Sequence, residues 1–395
     1  MVKANFDEVI NRCGTGSRKW DYAAAVFGTD DVLPMWIADM DFAAPPVVVE
    51  ALRNKVEQQV YGYYVRNEAV YQAAANWLGR RHGWEASHEW IINANGVVSS
   101  IVMAILALTA PGDQIIIQPP IYPPFFSCVK QNNREIVENP LRYENGNYYF
   151  DFADLEQKLT PRVKMLLLSS PHNPVGRVWT KAELQQLGEI CLKHNVIIIA
   201  DEIHGDLVFQ GHKHIPLASL SPELAQQTIT CISPSKTFNL AGLYTSFIVI
   251  PDREKHRQIS ILQEKLEISR SNLFGLAAAQ AAYEQGDSWL DDLLLYLEGN
   301  AEFLARYVAD NIPMVKADKP EGTYLGWLDF RGLFKNCADL RSFLIQQARV
   351  GLNDGNTFGK QGEGFARINF GCPRALLQEG LERIAQAVRK RQEIK

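Results

Sequence analysis

Short apolar runs recur through the middle of the chain, with almost no polar position inside them. Runs of this kind, rich in β-branched residues, are typical of strands that are buried on both faces of a sheet. The predicted strands are residues 114–118, 163–169, 195–200, 228–232 and 246–250. Segments of helical period lie between them, such as residues 180–194, which open with a Thr180-x-x-Glu183 capping box. The alternation of strand and helix predicts a mainly parallel α/β sheet.

The pattern changes after Pro251, where long helical segments replace the buried strands. The predicted helices are residues 253–266, 273–285 and 288–310, and short strands follow at residues 322–330 and 365–370. This pattern predicts a second unit of the α+β type. No stretch rich in Gly, Ser or Pro separates the two units, so a flexible tether is not expected. We expect a large α/β domain at residues 46–285 and a small α+β domain formed by residues 1–45 and 286–395.

Composition narrows the function classes. The chain has 395 residues, of which 47% are hydrophobic and 22% are charged, as in an ordinary globular protein rather than a disordered one. Lys and Arg number 40 against 45 Asp and Glu, which gives a net charge of −5. The basic residues form no block apart from residues 389–391. We therefore expect no nucleic-acid partner.

The cysteines and the apolar stretches bear on location. The six cysteines are scattered without a metal-ligand spacing, so we expect free thiols, no metal site and a reducing cytoplasm. Acidic residues appear at positions 7 and 8, before the apolar core of a signal peptide could develop. The longest apolar stretch, residues 97–110, contains two serines and is shorter than the roughly 20 residues that cross a bilayer. It predicts a buried helix, and we expect no membrane partner.

Polar residues follow four of the predicted strands. In open parallel sheets, ligands bind beyond the carboxyl ends of the strands. The four segments are 119–125 (PPIYPPF), 169–176 (SSPHNPVG), 201–204 (DEIH) and 233–238 (SPSKTF). Each segment alone has an ordinary explanation as a loop or a helix cap. Together they bring a lysine, an aspartate, an asparagine and an aromatic residue to one edge, a set suited to pyridoxal phosphate (PLP).

The motifs resemble a known superfamily over nearly the whole chain. SSPHNPVG, DEIH, the SPSK of residues 233–236 and the RINF of residues 367–370 resemble the aspartate-aminotransferase superfamily of fold-type I PLP enzymes. Within it, the LPMWIADMDF of residues 33–42, the DEIH variant and the NFGCPR of residues 369–374 resemble the MalY/PatB-type cystathionine β-lyases, or carbon–sulfur lyases. The resemblance implies a large domain with a mainly parallel, seven-stranded type of sheet flanked by helices, and a smaller α+β domain.

The resemblance assigns a role to each strand-end residue. It makes Lys236 the Schiff-base lysine, which also moves the proton at the substrate Cα. Asp201 would hold the proton of the pyridine nitrogen, and a plain helix N-cap is the alternative. Asn173 would bind the ring O3′ and the substrate carboxylate, unless it only forms a turn. Tyr122 would stack on the ring and join the catalytic set, and a core aromatic residue is its alternative.

The phosphate and the substrate carboxylate need other groups. Backbone N–H groups at a helix N-terminus and nearby hydroxyls bind phosphate, and the resemblance gives these tasks to Gly96, Val97, Val98, Ser233 and Ser235. It adds Tyr63 from the partner subunit, which implies a homodimer with shared active sites. Arg367 matches the arginine that forks onto the substrate α-carboxylate, with Arg374 as its rival. Trp36 and Ala38, in the motif at residues 33–42, join the expected substrate-binding residues.

Two positions depart from the common superfamily pattern. Many members carry a phosphate-binding arginine eight residues after the lysine, where this chain has Tyr244. Phosphate binding must then depend on backbone and hydroxyl donors. His204 stands three residues after Asp201, where aminotransferases usually carry a tyrosine that binds O3′. A histidine is a feature of the lyase-like branch and is an expected cofactor-binding residue, and a structural histidine that bonds Asp201 or the backbone is its alternative.

The resemblance implies α,β-elimination of L-cystathionine and related cysteine S-conjugates to homocysteine or another thiol, pyruvate and ammonia. The expected partner is thus a small amino-acid thioether. The same residues would support an aminotransferase of aromatic or sulfur amino acids, which is the first alternative. A regulatory binding protein on the same fold is the second.

Overall fold

A computed structural model describes residues 4–334 and 337–393. The strands are β1 (Leu33–Pro34), β2 (Ile91–Ala94), β3 (Gln114–Ile117), β4 (Glu135–Glu138), β5 (Arg142–Glu144), β6 (Asn147–Tyr149), β7 (Val163–Ser169), β8 (Ile197–Asp201), β9 (Thr228–Ile232), β10 (Ser246–Val249), β11 (Lys316–Ala317), β12 (Leu325–Asp329), β13 (Val350–Gly351), β14 (Asn353–Asp354) and β15 (Phe365–Asn369). The helices are α1 (Ala23–Phe27), α2 (Pro46–Glu57), α3 (Glu68–His82), α4 (Val97–Leu108), α5 (Pro124–Lys130), α6 (Phe152–Lys158), α7 (Lys181–Lys193), α8 (Pro222–Gln227), α9 (Pro234–Thr237), α10 (Arg253–Lys265), α11 (Leu273–Gln285), α12 (Asp287–Asn311), α13 (Cys337–Gln346) and α14 (Arg374–Glu393).

A seven-stranded sheet lies at the centre, in the strand order β2-β10-β9-β8-β7-β3-β4. Strands β9, β8, β7, β3 and β4 pair in parallel, whereas β10 is antiparallel to both of its neighbours. Every residue of β9 and β10 is buried, as the apolar runs predict for strands covered on both faces. The α/β prediction is confirmed.

Helices cover both faces of this sheet. On one face, α4 and α5 pack their apolar residues against β3, β7 and β9, through side chains such as Ile101, Ile105 and Phe125. On the other face, α7 contributes Leu184, Leu187 and Cys191. The predicted capping box begins α7, because Thr180 accepts a hydrogen bond from the Glu183 N–H and Glu183 accepts one from the Thr180 N–H. The helices therefore cover the two faces of the sheet and leave the carboxyl ends of its strands open.

A smaller antiparallel sheet follows, in the order β11-β12-β15-β14. The first strand of the chain, β1, pairs in parallel with β13, with Leu33 opposite Val350. The N-terminal segment thus contacts the C-terminal part of the chain. The domain division at residues 45 and 285 stays a prediction.

Helix α4 occupies the apolar stretch at residues 97–110, with Ile101, Ala104 and Ile105 fully buried. It is 12 residues long. Within residues 4–334 and 337–393, no helix combines the length and the apolar character that a membrane span requires.

Candidate active site

A cleft of about 850 Å³, which includes space open to solvent, lies at the carboxyl ends of β7, β8 and β9. Ten of the residues predicted from the sequence line it, namely Ala38, Gly96, Val97, Val98, Tyr122, Asn173, Asp201, His204, Ser235 and Lys236. They come from six separate segments of the chain. The parallel order of the strands brings these segments together, because strand ends of the same polarity meet at one edge.

Lys236 lies on α9, the short helix that follows β9. The side chain of Ser233 begins this helix by accepting a hydrogen bond from the Ser235 N–H at 3.1 Å. The lysine Nζ donates to the carbonyl oxygen of Ala38 at 2.5 Å. Burial lowers the pKa of Lys236 to about 8, although the negative charge of Asp39 opposes this shift. A lysine with such a pKa carries more free amine near neutral pH than an exposed lysine does.

Asp201 is the last residue of β8 and is buried beside the cleft. Its Oδ1 accepts a hydrogen bond from the Ile203 N–H at 3.2 Å. Burial raises the pKa of Asp201 to about 7, and the backbone bond and the charge of Lys236 only partly oppose this shift. A positively charged ligand group against this carboxyl would favour its ionised form.

Arg367 lies behind Asn173 and is 4% exposed. Its Nη1 donates to Asn173 Oδ1 at 2.8 Å, and its Nη2 donates to the carbonyl oxygen of Trp36 at 3.0 Å and to Asn353 Oδ1 at 2.7 Å. Its Nε is buried and has no acceptor among the described residues. All three acceptors are neutral, and burial lowers the pKa of Arg367 to about 10. A buried arginine without a carboxylate partner is suited to an anionic ligand.

The rival arginine lies elsewhere. Arg374 begins α14, where its Nε donates to Asn300 Oδ1 at 2.6 Å and its guanidinium stacks on the ring of Phe303. These contacts join α14 to α12, and Arg374 does not line the cleft. Arg367 does not line the cleft either, but it bonds to Asn173, which does, so the geometry favours Arg367 over Arg374 for carboxylate binding.

His204 and Tyr122 complete the walls of the cleft. The ring of His204 is buried and meets the ring of Tyr324 edge to face, with centroids 5.8 Å apart. Its Nδ1 has no hydrogen-bond partner within the described ranges, and burial lowers the pKa of His204 to about 3. Burial raises the pKa of Tyr122, whose ring packs against Phe125. Both side chains are therefore neutral at ordinary pH.

Helix α4 begins at the cleft. Gly96 precedes it with φ of 104° and ψ of 152°, a conformation that residues with a Cβ rarely adopt. The Gly96 N–H donates to Ser246 Oγ at 3.0 Å. The first N–H groups of a helix have no acceptor inside that helix, so Val97 and Val98 present donors suited to an anion.

Four predicted residues do not line the cleft. Arg367 contacts it through Asn173, and Ser233 is buried at the start of α9, where its hydroxyl donates to the Thr245 carbonyl at 2.7 Å. The indole of Trp36 packs on Phe27, and only its backbone oxygen contacts Arg367. Tyr63 is 97% exposed in the segment between α2 and α3. The roles predicted for these residues stay predictions.

The cleft also contains residues that the sequence did not indicate. These are Ser99, Ala241 and Thr245, and Tyr244 lines it where the common pattern has an arginine. Asn95, Ser169 and Ile203 also line the cleft; they belong to the predicted segments, although no role was assigned to them. Ser99 lies in the first turn of α4, so its position could have been inferred from the Gly96 motif. The loop at residues 241–245 carries no comparable signal, because it reaches the cleft only through the turn after α9.

The fold and the cleft together define a class of protein in which a lysine, an aspartate and an asparagine meet at the carboxyl ends of a mostly parallel sheet. The chain belongs to the aminotransferase class I and II family, whose model matches residues 30–384.

Relatives of known type narrow this further. The chain is 44% identical to the cystathionine beta-lyase PatB of Bacillus subtilis (strain 168), over 97% of this chain and 100% of the relative. The crystal structure of cystalysin from Treponema denticola, which contains a pyridoxal 5'-phosphate cofactor, is similar with 36% identity and a TM-score of 0.95, over 99% of this chain and 100% of that one. The PLP-bound C-S lyase from Staphylococcus hominis has 33% identity and a TM-score of 0.91, over 98% of both chains. The resemblance to the MalY/PatB branch is confirmed.

Proposed function

We propose that this protein is a PLP-dependent carbon–sulfur β-lyase that cleaves L-cystathionine and related cysteine S-conjugates by α,β-elimination. The observation that carries this proposal is the meeting of Lys236, Asp201 and Asn173 in one cleft, with Arg367 bonded to Asn173. The similarity to a cystathionine beta-lyase along almost the whole chain supports the same reaction.

The residues present fit PLP. The buried Asp201 has a raised pKa, and it would become a stable carboxylate against a protonated ring nitrogen. The buried Nδ1 of His204 has no partner in the described part of the chain, so it is available to a polar group of a ligand. Val97 and Val98 offer the N–H groups of a helix N-terminus to the phosphate. Ser235 and Ser99 add hydroxyls. Because position 244 is not an arginine, these donors to the phosphate are all neutral.

Arg367 and Asn173 orient the substrate. The guanidinium of Arg367 would bind the α-carboxylate through two parallel N–H donors, which fixes the direction of the amino acid in the cleft. The contact between Arg367 and Asn173 couples substrate binding to the position of the asparagine amide. Lys236 lines the same cleft as Asn173, so a substrate held there would lie near the lysine.

Lys236 carries out the proton transfer. PLP, when bound, supplies an acceptor for the electron pair at Cα. Lys236 Nζ accepts the Cα proton as a free amine, a step that typically contributes about 10²–10⁴-fold. The C–S bond then breaks with its electron pair on sulfur, which leaves as a thiolate while the Cα=Cβ bond forms. The released aminoacrylate takes up water to give pyruvate and ammonia.

The exposed segment between α2 and α3 supports a homodimer. Val60, Tyr61, Tyr63 and Val65 are all more than half exposed, which is unusual for four large apolar side chains within six residues. A second copy of the chain would cover this segment, and Tyr63 would then contact the phosphate in the partner's cleft. The six cysteines form no disulfide. This state fits the reducing cytoplasm, where we place the protein.

A product assay tests the reaction. Purified protein supplied with PLP and L-cystathionine, without any keto acid, should release pyruvate and homocysteine in equal amounts. An aminotransferase would instead need a keto acid as amino-group acceptor. Turnover that depends on added keto acid, with no free thiol, would overturn the lyase proposal.

A further inference from the structure

A buried cluster contacts α9, lies outside the residues that line the cleft, and takes no part in the reaction described above. At its centre is Asp206, in the turn that follows β8. Its Oδ2 accepts a hydrogen bond from the Thr237 hydroxyl at 2.7 Å. Its Oδ1 contacts Trp77 Nε1 at 2.9 Å and His82 Nε2 at 2.8 Å. One carboxylate thus has three polar partners.

These three partners belong to two different helices. Trp77 and His82 both lie on α3, the second of them as its last residue. Thr237 is fully buried and is the residue directly after Lys236 on α9. Asp206 itself lies five residues after Asp201. The carboxylate therefore joins α3, the end of β8 and the helix that carries the lysine.

The charges around Asp206 favour its ionised form. Burial opposes ionisation, but the contact with His82 and the hydroxyl of Thr237 hold the pKa of Asp206 below its ordinary value. Other ionisable groups surround it: His214 meets the ring of His82 edge to face and contacts Glu202, and Tyr283 lies close enough to be affected by the charge of Asp206.

Helix α9 is held by contacts at its two ends and by the residues that follow it, where Phe238 packs in the core and the Asn239 amide bonds to backbone oxygens. It spans four residues, so it cannot be stable through its own hydrogen bonds. At its start, the Ser233 hydroxyl provides the cap. At its end, the bond from Thr237 to Asp206 fixes the backbone directly beside Lys236.

We propose that Asp206 is a positioning residue for Lys236, which it holds in the cleft by anchoring Thr237. This inference rests on the proposed function, since it concerns the lysine of that reaction. It adds a site outside the cleft on which the reactivity of the lysine depends.

The proposal predicts how Lys236 responds when the anchor is removed. Its lowered pKa comes first from burial. A lysine on a loosened helix regains contact with water, so its pKa rises toward that of a free lysine. The pH dependence of kcat reports the base in the substrate complex, so its acid limb should move to higher pH. A substitution that only destabilises the fold leaves that limb in place.

Thr237→Val removes the hydroxyl with little change in shape. Thr237→Ser keeps the hydroxyl and serves as the conservative rescue. Thr109→Val is the matched control, because Thr109 also accepts and donates hydrogen bonds but at the far end of α4. For each holoenzyme we would measure the kcat–pH profile, the dissociation constant of PLP and the melting temperature.

The expected result is specific to Thr237→Val. Its acid limb should move to higher pH, and its PLP dissociation constant should rise by about tenfold, or roughly 1.4 kcal/mol. Thr237→Ser and Thr109→Val should keep both wild-type values. If Thr237→Val does not fold, Asp206→Asn, which removes one acceptor oxygen, takes its place with the same expectation.

Two outcomes would overturn the inference. One is a Thr237→Val enzyme that melts at a lower temperature but keeps the wild-type pH profile and PLP affinity. The other is an equal shift in Thr109→Val. A wild-type protein that neither binds PLP nor turns over cystathionine would contradict the proposed function instead, so the two failures are distinguishable.

Discussion

At the scale of single residues, burial brings an acid and a base to similar pKa values. The pKa of Asp201 rises to about 7 and that of Lys236 falls to about 8, because each charged form loses water. Neither group keeps the fixed charge that it would have at the surface. The cleft can therefore hold or release protons near neutral pH at both positions.

The lysine pKa predicts the pH dependence of the reaction. Lys236 must be a free amine to accept the Cα proton, and protonation below about pH 8 removes that form. We expect kcat to rise with pH through this region and to fall about tenfold for each further pH unit on the acid side. A kcat–pH profile of the holoenzyme checks this. If the enzyme stays folded from about pH 6 to 9 and its profile is flat over that range, another group or another step sets the rate.

Arg367→Lys should separate substrate binding from cofactor binding. A lysine keeps the positive charge but cannot form two parallel N–H···O bonds to the carboxylate. We expect kcat/KM for L-cystathionine to fall by about 10–100-fold, the scale of about 1.5–3 kcal/mol for a hydrogen bond to a charged group, while PLP content stays near wild type. Arg374→Lys is the control and should be milder. An equal loss of PLP in Arg367→Lys would point to a structural role.

The placement of the lysine, the aspartate and the asparagine at one cleft was predictable from the sequence, because each residue lies at or just after the end of a buried strand. Lys236, Asp201 and Asn173 all stand just past or at the end of an apolar run. The positions of the Trp36 and Ser233 side chains could not be predicted, since a motif does not tell which side of the backbone a side chain occupies. Trp36 turns its indole toward Phe27 and away from the cleft.

At the scale of elements, the start of α4 is the position where backbone conformation matters most to the site. Gly96→Ala should destabilise the protein by about 1–3 kcal/mol, because its backbone lies in a region open essentially to glycine. It should also weaken PLP binding by shifting the N–H groups of Val97 and Val98. Thermal unfolding and PLP titration measure the two effects.

A second glycine provides the control for this prediction. Gly112 also has a positive φ, of 85°, but it lies in the turn between α4 and β3. Gly112→Ala should lower stability without changing PLP affinity. Unchanged PLP affinity in Gly96→Ala would remove the start of α4 from the phosphate site.

The elements with a strong apolar pattern were predictable, and the partly exposed ones were not. Strands β7 and β9 and helix α11 have the bounds that the apolar pattern predicts, because burial on both faces or a full apolar stripe marks them clearly. Strand β4 lies at the sheet edge and is partly exposed, so it lacks a continuous apolar run. The antiparallel direction of β10 also has no local signal, since it depends on the path of the chain.

At the scale of the whole molecule, the homodimer with shared active sites that we propose predicts an effect that crosses between chains. Tyr63→Phe should weaken PLP binding by about 1–3 kcal/mol, the scale of a hydrogen bond to a charged acceptor. The site offers no arginine at position 244, so we expect the upper part of that range. PLP titration of the purified variant measures the effect.

Mixing two variants tests the shared site more sharply. In a heterodimer of Tyr63→Phe and Lys236→Ala chains, one site combines the native Lys236 of one chain with the native Tyr63 of the other. That site should bind PLP with wild-type affinity and turn over substrate. Heterodimers that form without recovering such a site would show that Tyr63 does not act on the partner's cleft.

The proposed dimer interface was suggested by the resemblance alone. No local pattern in residues 59–66 distinguishes a segment that contacts a second chain from an exposed loop. The structure adds the exposure of four large apolar side chains there, which is a physical reason to expect a partner.

The most direct test of the account is to identify the residue to which the cofactor is attached. The holoenzyme should absorb light near the edge of the visible range. Borohydride reduction followed by peptide mapping should locate PLP on the peptide that contains Lys236. Lys236→Ala, treated in the same way, should carry no fixed PLP. Attachment to any other lysine, or wild-type protein that fixes none, would contradict the assignment of this cleft as the active site.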